Sequence, residues 1–403
     1  MKNTITIVQK YGGSSVATTE QISAIAKHIK TLHSKNKKVV VVASAMGKTT
    51  NGLISLAGEL SPNPNKRDLD FLLSTGEMQT VSLMSICLNN IGVDCIALTG
   101  FQAGIITNDN YSRAFIKNIQ IEKIKDYLNA NKVVIVAGFQ GVTENGEITT
   151  LGRGGSDTTA VAIAAALKCP CEIYTDVNAV RTVDPKLFST SKTLHSISYD
   201  EMMEMAVNGA KVLEPRSVEL AKKNNVKLYL GKTLEDKKSS GTFVCNKSEF
   251  EDMPIKSLSI KDNISVLNIE SNRKNFNDVA KIFYIIYKHN LNLEMISQVI
   301  TKNKIIFSFS LPSGMEDEII ESIKSETSIK ENSIYLVSNL SKVVLVGIGL
   351  ATHTDISKQL FETLSKKQII VGHITVTEIS ISFTIKQEDK AKTITAVATE
   401  FNL

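Results

Sequence analysis

The chain has 403 residues, yet its apolar runs, such as Val39–Ala45 and Val133–Ala137, stop far short of the ~20 residues that a membrane span needs. No membrane association is expected. The opening MKNTITIVQK lacks a long apolar region and a small-residue cleavage site, so it reads as a strand rather than a signal peptide. The 5 cysteines, Cys87, Cys95, Cys169, Cys171 and Cys245, are odd in number and match no disulfide or metal spacing; Cys169-Pro-Cys171 is not a CxxC pair. A reduced, cytoplasmic setting is expected. The 6 histidines are scattered, and no metal site built from protein ligands is expected. Charge of one sign is also scarce. The excess is +5, from 46 basic and 41 acidic residues, which suits an anionic small molecule and argues against nucleic acid. The basic run Lys35–Lys38 is short and lacks interleaved aromatics, as a solvated loop would. No GxxxxGK[ST] occurs, so a Walker phosphate loop is excluded.

What is present is ordinary globular material, 42% hydrophobic and 22% charged, enough for two or three domains. Up to about residue 240, strand and helix patterns alternate. Strands are expected at Ile5–Val8, Val39–Ala43, Cys95–Leu98, Val133–Ala137, Glu172–Thr175 and Val226–Leu230. Helices are expected at Glu20–Leu32, Asp68–Asn90, Thr158–Leu167, Tyr199–Asn208 and Ser217–Lys223. Such alternation predicts an α/β fold, a mostly parallel sheet covered by helices on both faces in three layers. Polar stretches at Asp236–Gly241 and Glu249–Pro254 mark a boundary. Beyond it, a strand–helix–strand–strand order recurs at an offset of roughly 80 residues: Ile264–Ile269, Val279–Lys288, Leu293–Val299 and Ile305–Leu311, then Val343–Gly347, Ile356–Leu364, Ile369–Thr375 and Ile379–Ile385. Each unit runs into a further helix, Met315–Ile323 and then Lys390–Ala398. Two small α+β modules are expected, either sensing a ligand or only dimerising. The expected divisions are 1–245, 255–340 and 341–403.

Four polar turns follow strands of the first region: Lys10-Tyr11-Gly12-Gly13-Ser14-Ser15, Ser44-Ala45-Met46-Gly47-Lys48-Thr49-Thr50, Gly138-Phe139-Gln140-Gly141, and Leu151-Gly152-Arg153-Gly154-Gly155-Ser156-Asp157-Thr158. Glycines bring backbone amides close to an anion, and a helix start presents its positive end there. Open parallel sheets bind ligands at the carboxyl ends of their strands, so the four turns point to one crevice. None is strong alone: Lys10 beside a Gly pair could be a surface lysine at an ordinary turn, and Ser156 or Asp157 could be a helix cap. Glu77, in Ser74-Thr75-Gly76-Glu77, reads either as a solvated helix face or as a group entering a pocket. Lys211 could merely complement a helix end.

Together these stretches resemble the aspartate kinase family, over essentially the whole chain. The matching pieces are KYGGSS from Lys10, SAMGKTT from Ser44, STGE from Ser74, GFQG from Gly138, LGRGGSDT from Leu151, and Tyr174–Pro185. The two tail modules resemble ACT domains. The resemblance implies an amino-acid kinase fold followed by two ACT-like domains. It also implies phosphoryl transfer from ATP, accompanied by Mg²⁺, to the side-chain carboxylate of L-aspartate, opening the route to lysine, threonine, methionine and diaminopimelate. By that resemblance Lys10 lies along the phosphates, with Gly12 and Gly13 giving backbone room. Arg153 holds the α-carboxylate of aspartate and Glu77 its α-ammonium. Thr49, Phe139 and Ser156 line the amino-acid pocket, and Asp157 organises the reacting groups. Thr175, Asp176, Arg181, Lys186 and Lys211 sit by the nucleotide.

The chain departs from the family pattern at Ala179 and Arg181, where Gly and Tyr are common, and at Lys186, where Arg is. ATP binding is expected to survive with altered affinity. In the tail, the stretches matching the effector loop, Glu270–Asp278 and Ala351–Ser357, lack the family's Pro and Gly. Gln298, Met295 and Asp278 remain as candidate regulatory residues, with L-lysine and L-threonine as the effectors implied, and His373 stands where a more acidic or apolar residue is common. A homodimer through the ACT-like domains is the minimum expectation. The alternatives are a non-catalytic amino-acid sensor and a kinase for another amino acid; retention of Lys10, Glu77, Arg153 and Asp157 together argues against the first.

Overall fold

The computed structural model describes residues 5–210, 212–235, 240–246, 254–272, 276–289, 291, 294–302 and 304–403. It forms two compact units. The first comprises Met1–Arg181, Thr193–Val207 and Lys211–Asp252; the second comprises Thr182–Lys192, Asn208–Ala210 and Met253–Leu403. Two short pieces of the range expected to be catalytic, 182–192 and 208–210, therefore fold as parts of the second unit.

In the first unit the elements run β1 (Thr6–Tyr11), α1 (Thr19–Ser34), β2 (Lys38–Ala43), α2 (Thr49–Leu60), α3 (Lys66–Asn90), β3 (Cys95–Leu98), β4 (Ile105–Thr107), β5 (Ile116–Ile119), α4 (Glu122–Asn129), β6 (Val133–Ala137), β7 (Gln140–Val142), β8 (Ile148–Thr150), α5 (Gly155–Leu167), β9 (Cys171–Thr175), β10 (Ser196–Ile197), α6 (Tyr199–Val207), α7 (Pro215–Lys223), β11 (Leu228–Lys232) and β12 (Thr242–Val244). Eight strands make one sheet in the order β10-β12-β11-β9-β1-β2-β6-β3, parallel throughout except for the β11–β12 pair. β2 and β6 are Val-rich and buried on both faces, because helices cover the sheet on either side. α1 contributes Ile22, Ile25, Ala26 and Ile29 and α3 contributes Val81, Met84 and Leu88 to the core over one face. α5 packs against β1, β2 and β9.

The local reasons are visible in the caps. Thr18 and Gln21 form a reciprocal capping box at the start of α1, and Asn65 accepts the Arg67 amide to start α3. Among the described residues α3 is the helix long and apolar enough to cross a membrane. Here it buries Asp70 and Glu77 within the unit instead.

The structure adds elements that the sequence reading did not include. A second sheet of four short strands, β5-β4-β7-β8, is mixed in direction. Its β7 is formed by Gln140–Val142, read from sequence as a turn. The polar turn at Ser44–Thr50 runs straight into α2, and α4 precedes β6.

In the second unit the elements are β13 (Ser257–Asn272), α8 (Phe276–Lys288), β14 (Ile296–Ile300), β15 (Lys304–Pro312), α9 (Glu316–Glu326), β16 (Ile334–Val346), α10 (Thr354–Lys366), β17 (Ile374–Val376), β18 (Ser380–Lys386) and α11 (Lys390–Glu400). All pairings are antiparallel in one six-stranded sheet, β14-β15-β13-β16-β18-β17. It carries two separate apolar clusters. One joins Leu267, Ile269, Phe307 and Phe309 to Ile282, Ile285, Ile319 and Ile323 of α8 and α9. The other joins Leu258, Val343, Leu345 and Phe383 to Leu360, Leu364, Ile394 and Val397 of α10 and α11. The expected strand Ile369–Thr375 shrinks to Ile374–Val376. Gly372 lies against Thr384, where a methyl would stand 2.5 Å from Oγ1.

Candidate active site

Side chains alternate across a strand. In β1 this sends Tyr11 into the α1/α3 core and Lys10 to the other face. There the Lys10 ammonium lies 2.6 Å from Asp157 Oδ1, with both side chains only 11% exposed. Asp157 stands in the first turn of α5, where an acid suits the positive helix end. β1 stops at Gly12, whose amide donates to the Tyr174 carbonyl of β9 at 3.1 Å. The turn after it is stitched to its neighbours. The Gly13 carbonyl accepts from the Gly47 amide at 3.0 Å, and a methyl on Gly13 would lie 2.8 Å from the Ala45 carbonyl oxygen, so no side chain fits there. Thr233, just past β11, donates through its hydroxyl to Ser15 Oγ at 2.6 Å and through its amide to the Thr175 carbonyl. The carboxyl ends of β2, β1, β9 and β11 are thereby tied together at one rim.

Glu77 reaches the same rim from the middle of α3. Its Oε1 accepts the Ala45 amide at 3.1 Å, whereas its Oε2 is buried without a hydrogen-bond partner. Burial pushes the carboxyl up to about 7, because a charge is costly away from water. Thr49 begins α2 and donates to the Met46 carbonyl. Gly138, at the end of β6, packs so closely on α5 that a methyl would lie 2.8 Å from Ser156 Cβ and Oγ. Phe139 follows with φ 70°; its amide donates to Thr159 Oγ1 at 3.1 Å and its carbonyl accepts from Leu151 at 2.8 Å. Phe139 and Ser156 thus stand where β6 ends and α5 begins, while Arg153 stands exposed in the turn before α5.

The candidate nucleotide residues are more dispersed. Thr175 donates to Asp176 Oδ1 at the end of β9. Arg181 pairs with Thr193 in a short antiparallel bridge. Lys186 is exposed and belongs to the second unit's 182–192 segment. Lys211 lies outside the described residues. In the second unit, the Asp278 carboxylate is occupied by Ser271 Oγ and by the amide and hydroxyl of Ser328, which gives it a role in seating α8. Met295 and His373 line a cavity of about 90 Å³ together with Val266, Phe309 and Ser310. Gln298 lies exposed on β14. Among the described residues no group of three or more His, Cys, Asp or Glu is gathered for a metal ion.

Three residues with structural weight escaped the sequence reading. Asp70 is fully buried and accepts from the amides and hydroxyls of both Ser112 and Thr150. The signal available was its place seven residues before Glu77, two turns along the same helix face. Arg216 donates to the Leu151 carbonyl at 3.0 Å and to the Ala114 carbonyl at 2.7 Å, and stacks over Phe115. Glu214 precedes Pro215 and approaches Gly154. Pro at the first helical position marked that helix start.

The rim offers a cation held by a carboxylate, a second exposed cation, and a buried carboxylate with one oxygen to spare. That is the equipment for an anion and a small amphoteric molecule side by side. The amino acid kinase family model matches residues 6–232, and an ACT domain model matches residues 343–401. Over 400 residues the chain is 39% identical to aspartokinase 2 of Bacillus subtilis, covering 98% of each. It is 38% identical over 403 residues to the aspartokinase of Pseudomonas aeruginosa, covering 98% of this chain and 97% of that one. Among solved structures, Escherichia coli aspartokinase III in complex with aspartate and ADP superposes with a TM-score of 0.82 at 23% identity, covering 98% and 100%. The aspartate kinase of Synechocystis gives 0.55 at 33% identity, covering 98% and 69%.

Proposed function

The chain belongs to the aspartokinase family, and we propose that the rim around Lys10, Glu77, Arg153 and Asp157 is where it performs that family's reaction. It transfers the γ-phosphoryl group of ATP to the side-chain carboxylate of L-aspartate, giving 4-phospho-L-aspartate and ADP. This is the first step toward lysine, threonine and diaminopimelate.

The reaction needs little acid–base help, since a carboxylate nucleophile with a pKa of ~4 is already ionised near neutrality. It needs two anions held together and the charge on the moving phosphoryl group neutralised. Arg153 takes the substrate α-carboxylate in a fork. The spare Oε2 of Glu77 takes the α-ammonium, with Thr49, Phe139 and Ser156 around the chain of the amino acid. Lys10 lies along the phosphates, and Asp157 keeps its ammonium aimed there. Gly12 and Gly13 give the phosphates a close backbone; Thr175, Asp176 and Arg181 attend the nucleotide. Mg²⁺ neutralises phosphate charge when bound. With no ligand cluster among the described residues, the fit is to an ion carried by phosphate oxygens and water.

We further infer a division at 1–245, 255–340 and 341–403, except that 182–192 and 208–210 fold with the second unit. The two apolar clusters on the one C-terminal sheet support a tandem pair of ACT-like domains. Its end strands β14 and β17 are exposed along their whole length, and such edges favour pairing; a homodimer through this unit follows, in the cytoplasm. Lysine is the effector proposed first, because aspartokinase III of Escherichia coli has a lysine complex; threonine is the second.

The observation that carries the active-site reading is the shielded Lys10–Asp157 pair. Its test is aspartate-dependent ADP release with ATP and Mg²⁺. Lys10→Ala is expected to lower kcat by about 10²- to 10³-fold, the usual effect of removing one group that stabilises developing charge. A variant that turns over at the wild-type rate overturns the reading. Glutamate in place of aspartate is expected to react poorly.

A further inference from the structure

We propose that Thr159 is a positioning residue: its hydroxyl holds Phe139 in a left-handed backbone conformation and so fixes the wall that Phe139 gives the amino-acid pocket. It sets affinity for aspartate rather than the rate of transfer. The assignment rests on the reading of the rim given above, in which Phe139 borders the substrate.

Phe139 has φ 70°. A bulky side chain is rare at that angle, because its Cβ crowds the following carbonyl, whereas glycine adopts it freely. The flanking chain leaves little choice of path. On one side, the Gly138 amide donates to the Ala43 carbonyl of β2 at 3.0 Å, and Gly138 is pressed against Ser156. On the other, Gln140 donates through Nε2 to the Ser74 carbonyl of α3 at 2.8 Å and accepts the Gly100 amide at Oε1. The chain therefore turns at residue 139. A phenylalanine that bears this strain where glycine would bear none points to a use for its ring. That ring packs over Gly155, where a methyl would stand 2.8 Å from Cδ2.

A strained torsion lasts only where its surroundings over-determine it. The Phe139 carbonyl accepts the Leu151 amide at 2.8 Å, and the Phe139 amide donates to Thr159 Oγ1 at 3.1 Å. Thr159 is fully buried, one turn into α5, and its hydroxyl donates to the Gly155 carbonyl at 2.9 Å. A hydroxyl has one proton and two lone pairs. With the proton committed to Gly155, a lone pair is left for the Phe139 amide. One side chain thus ties the backbone of Phe139 to the residue that its ring covers. The Lys10–Asp157 pair does not draw on this link: the Asp157 amide donates to the Gly154 carbonyl at 3.0 Å, and its carboxylate meets Lys10. A displaced wall weakens binding shared by the ground and transition states, which appears in KM. Stabilisation of the moving phosphoryl group, which appears in kcat, is left in place.

The test uses the full-length enzyme with three substitutions. Thr159→Val keeps the shape and loses the hydroxyl, Thr159→Ser keeps the hydroxyl and loses the methyl, and Thr159→Ala loses both. Steady-state kinetics are measured against aspartate and ATP separately, with near-UV circular dichroism to compare the folds. Thr159→Val and Thr159→Ala are expected to raise the aspartate KM about five- to tenfold, the scale of one neutral hydrogen bond, with kcat and the ATP KM within about twofold. Thr159→Ser is expected to stay within about twofold of the wild type in all three. Packing alone gives the reverse order, valine tolerated and serine impaired, and that order overturns the assignment. Equal aspartate KM values in Thr159→Ser and Thr159→Ala overturn it too, a comparison that stands even where Thr159→Val does not fold. So does an equal loss of kcat and of both affinities. A wild-type protein that is silent with aspartate overturns the substrate reading itself, and an active one with all three variants unchanged overturns this assignment alone.

Discussion

Glu77 shows how much a single buried oxygen can set. It is 3% exposed, one oxygen is satisfied by Ala45 and the other has no partner. Burial brings its carboxyl to about 7, so in the empty protein it is close to half protonated near neutrality. Only the ionised form pairs with an ammonium, and a bound ammonium in turn draws the proton off. Aspartate kcat/KM is therefore expected to rise as pH climbs toward about 7 and to level off above it. Glu77→Gln is expected to lower kcat/KM and to abolish that limb in a pH–rate profile; a limb that persists in the variant refutes the role. Stability carries the opposite sign. The folded chain holds this proton more tightly than the unfolded chain, whose ordinary value is 4.5. The stability linked to the proton is thus full below about 4.5 and is lost as pH rises through about 7, by roughly 3 kcal/mol in all. Glu77→Gln, which has no proton to lose, is expected to gain on the wild type between pH 5 and 8 in urea unfolding.

α3 carries two buried carboxylates two turns apart, and they do different work. Glu77 faces the rim. Asp70 spans from the helix to Ser112 and to Thr150 of β8 with four hydrogen bonds, so it fastens the small mixed sheet. Both backbone amides donate to Asp70 Oδ2 and both hydroxyls to Oδ1, so Asp70→Asn keeps its carbonyl on the amides only by turning its NH2 onto the two hydroxyls, which must then reverse from donor to acceptor. The substitution is expected to cost about 2–4 kcal/mol, read as a lowered midpoint in thermal unfolding, with aspartate-dependent turnover retained at low temperature. The contrast also explains what the sequence made legible. β2 and β6 announce themselves as Val-rich runs, and Lys10, Gly12, Gly13 and Asp157 sit in polar turns beside such strands, where strand ends and glycines mark a rim. The small sheet was hidden because its strands have 3 or 4 residues, too few for a two-residue period to stand out, and one contains Gly141. α2 was hidden although Leu53, Leu56 and Leu60 fall at helical spacing, because it begins inside the polar turn at Ser44–Thr50; none of its residues is buried. Asp70 sits near the start of a helix, where acids are common, so its local sequence does not single it out. Glu214 and Arg216 lie about sixty residues beyond the turn that they serve, and no local pattern links the two stretches.

Chain order and spatial membership part company in the molecule as a whole. By sequence, Asn208–Ala210 is the link between α6 and α7 of the first unit; in space it is built into the second. Gly209 makes this possible. It has φ 110°, and a methyl there would sit 2.3 Å from the Ile260 carbonyl oxygen of β13. A side chain at that φ is strained whatever the room, and here there is no room. Lys342 of β16, 5% exposed, adds a hydrogen bond from its ammonium to Asn208 Oδ1 at 2.7 Å. The link therefore behaves as part of the C-terminal sheet. Gly209→Ala is expected to weaken that sheet by about 2–3 kcal/mol, the scale of local strain plus a displaced contact. Amide exchange is expected to quicken along Ser257–Lys261 and Lys342–Val346, which pair with each other in β13 and β16. Exchange in β2 and β6 of the first unit is expected to stay as in the wild type, because their valines draw nothing from the link. If exchange instead quickens in β2 and β6 while Ser257–Lys261 stays protected, the link belongs to the catalytic unit after all, and the C-terminal sheet folds without it.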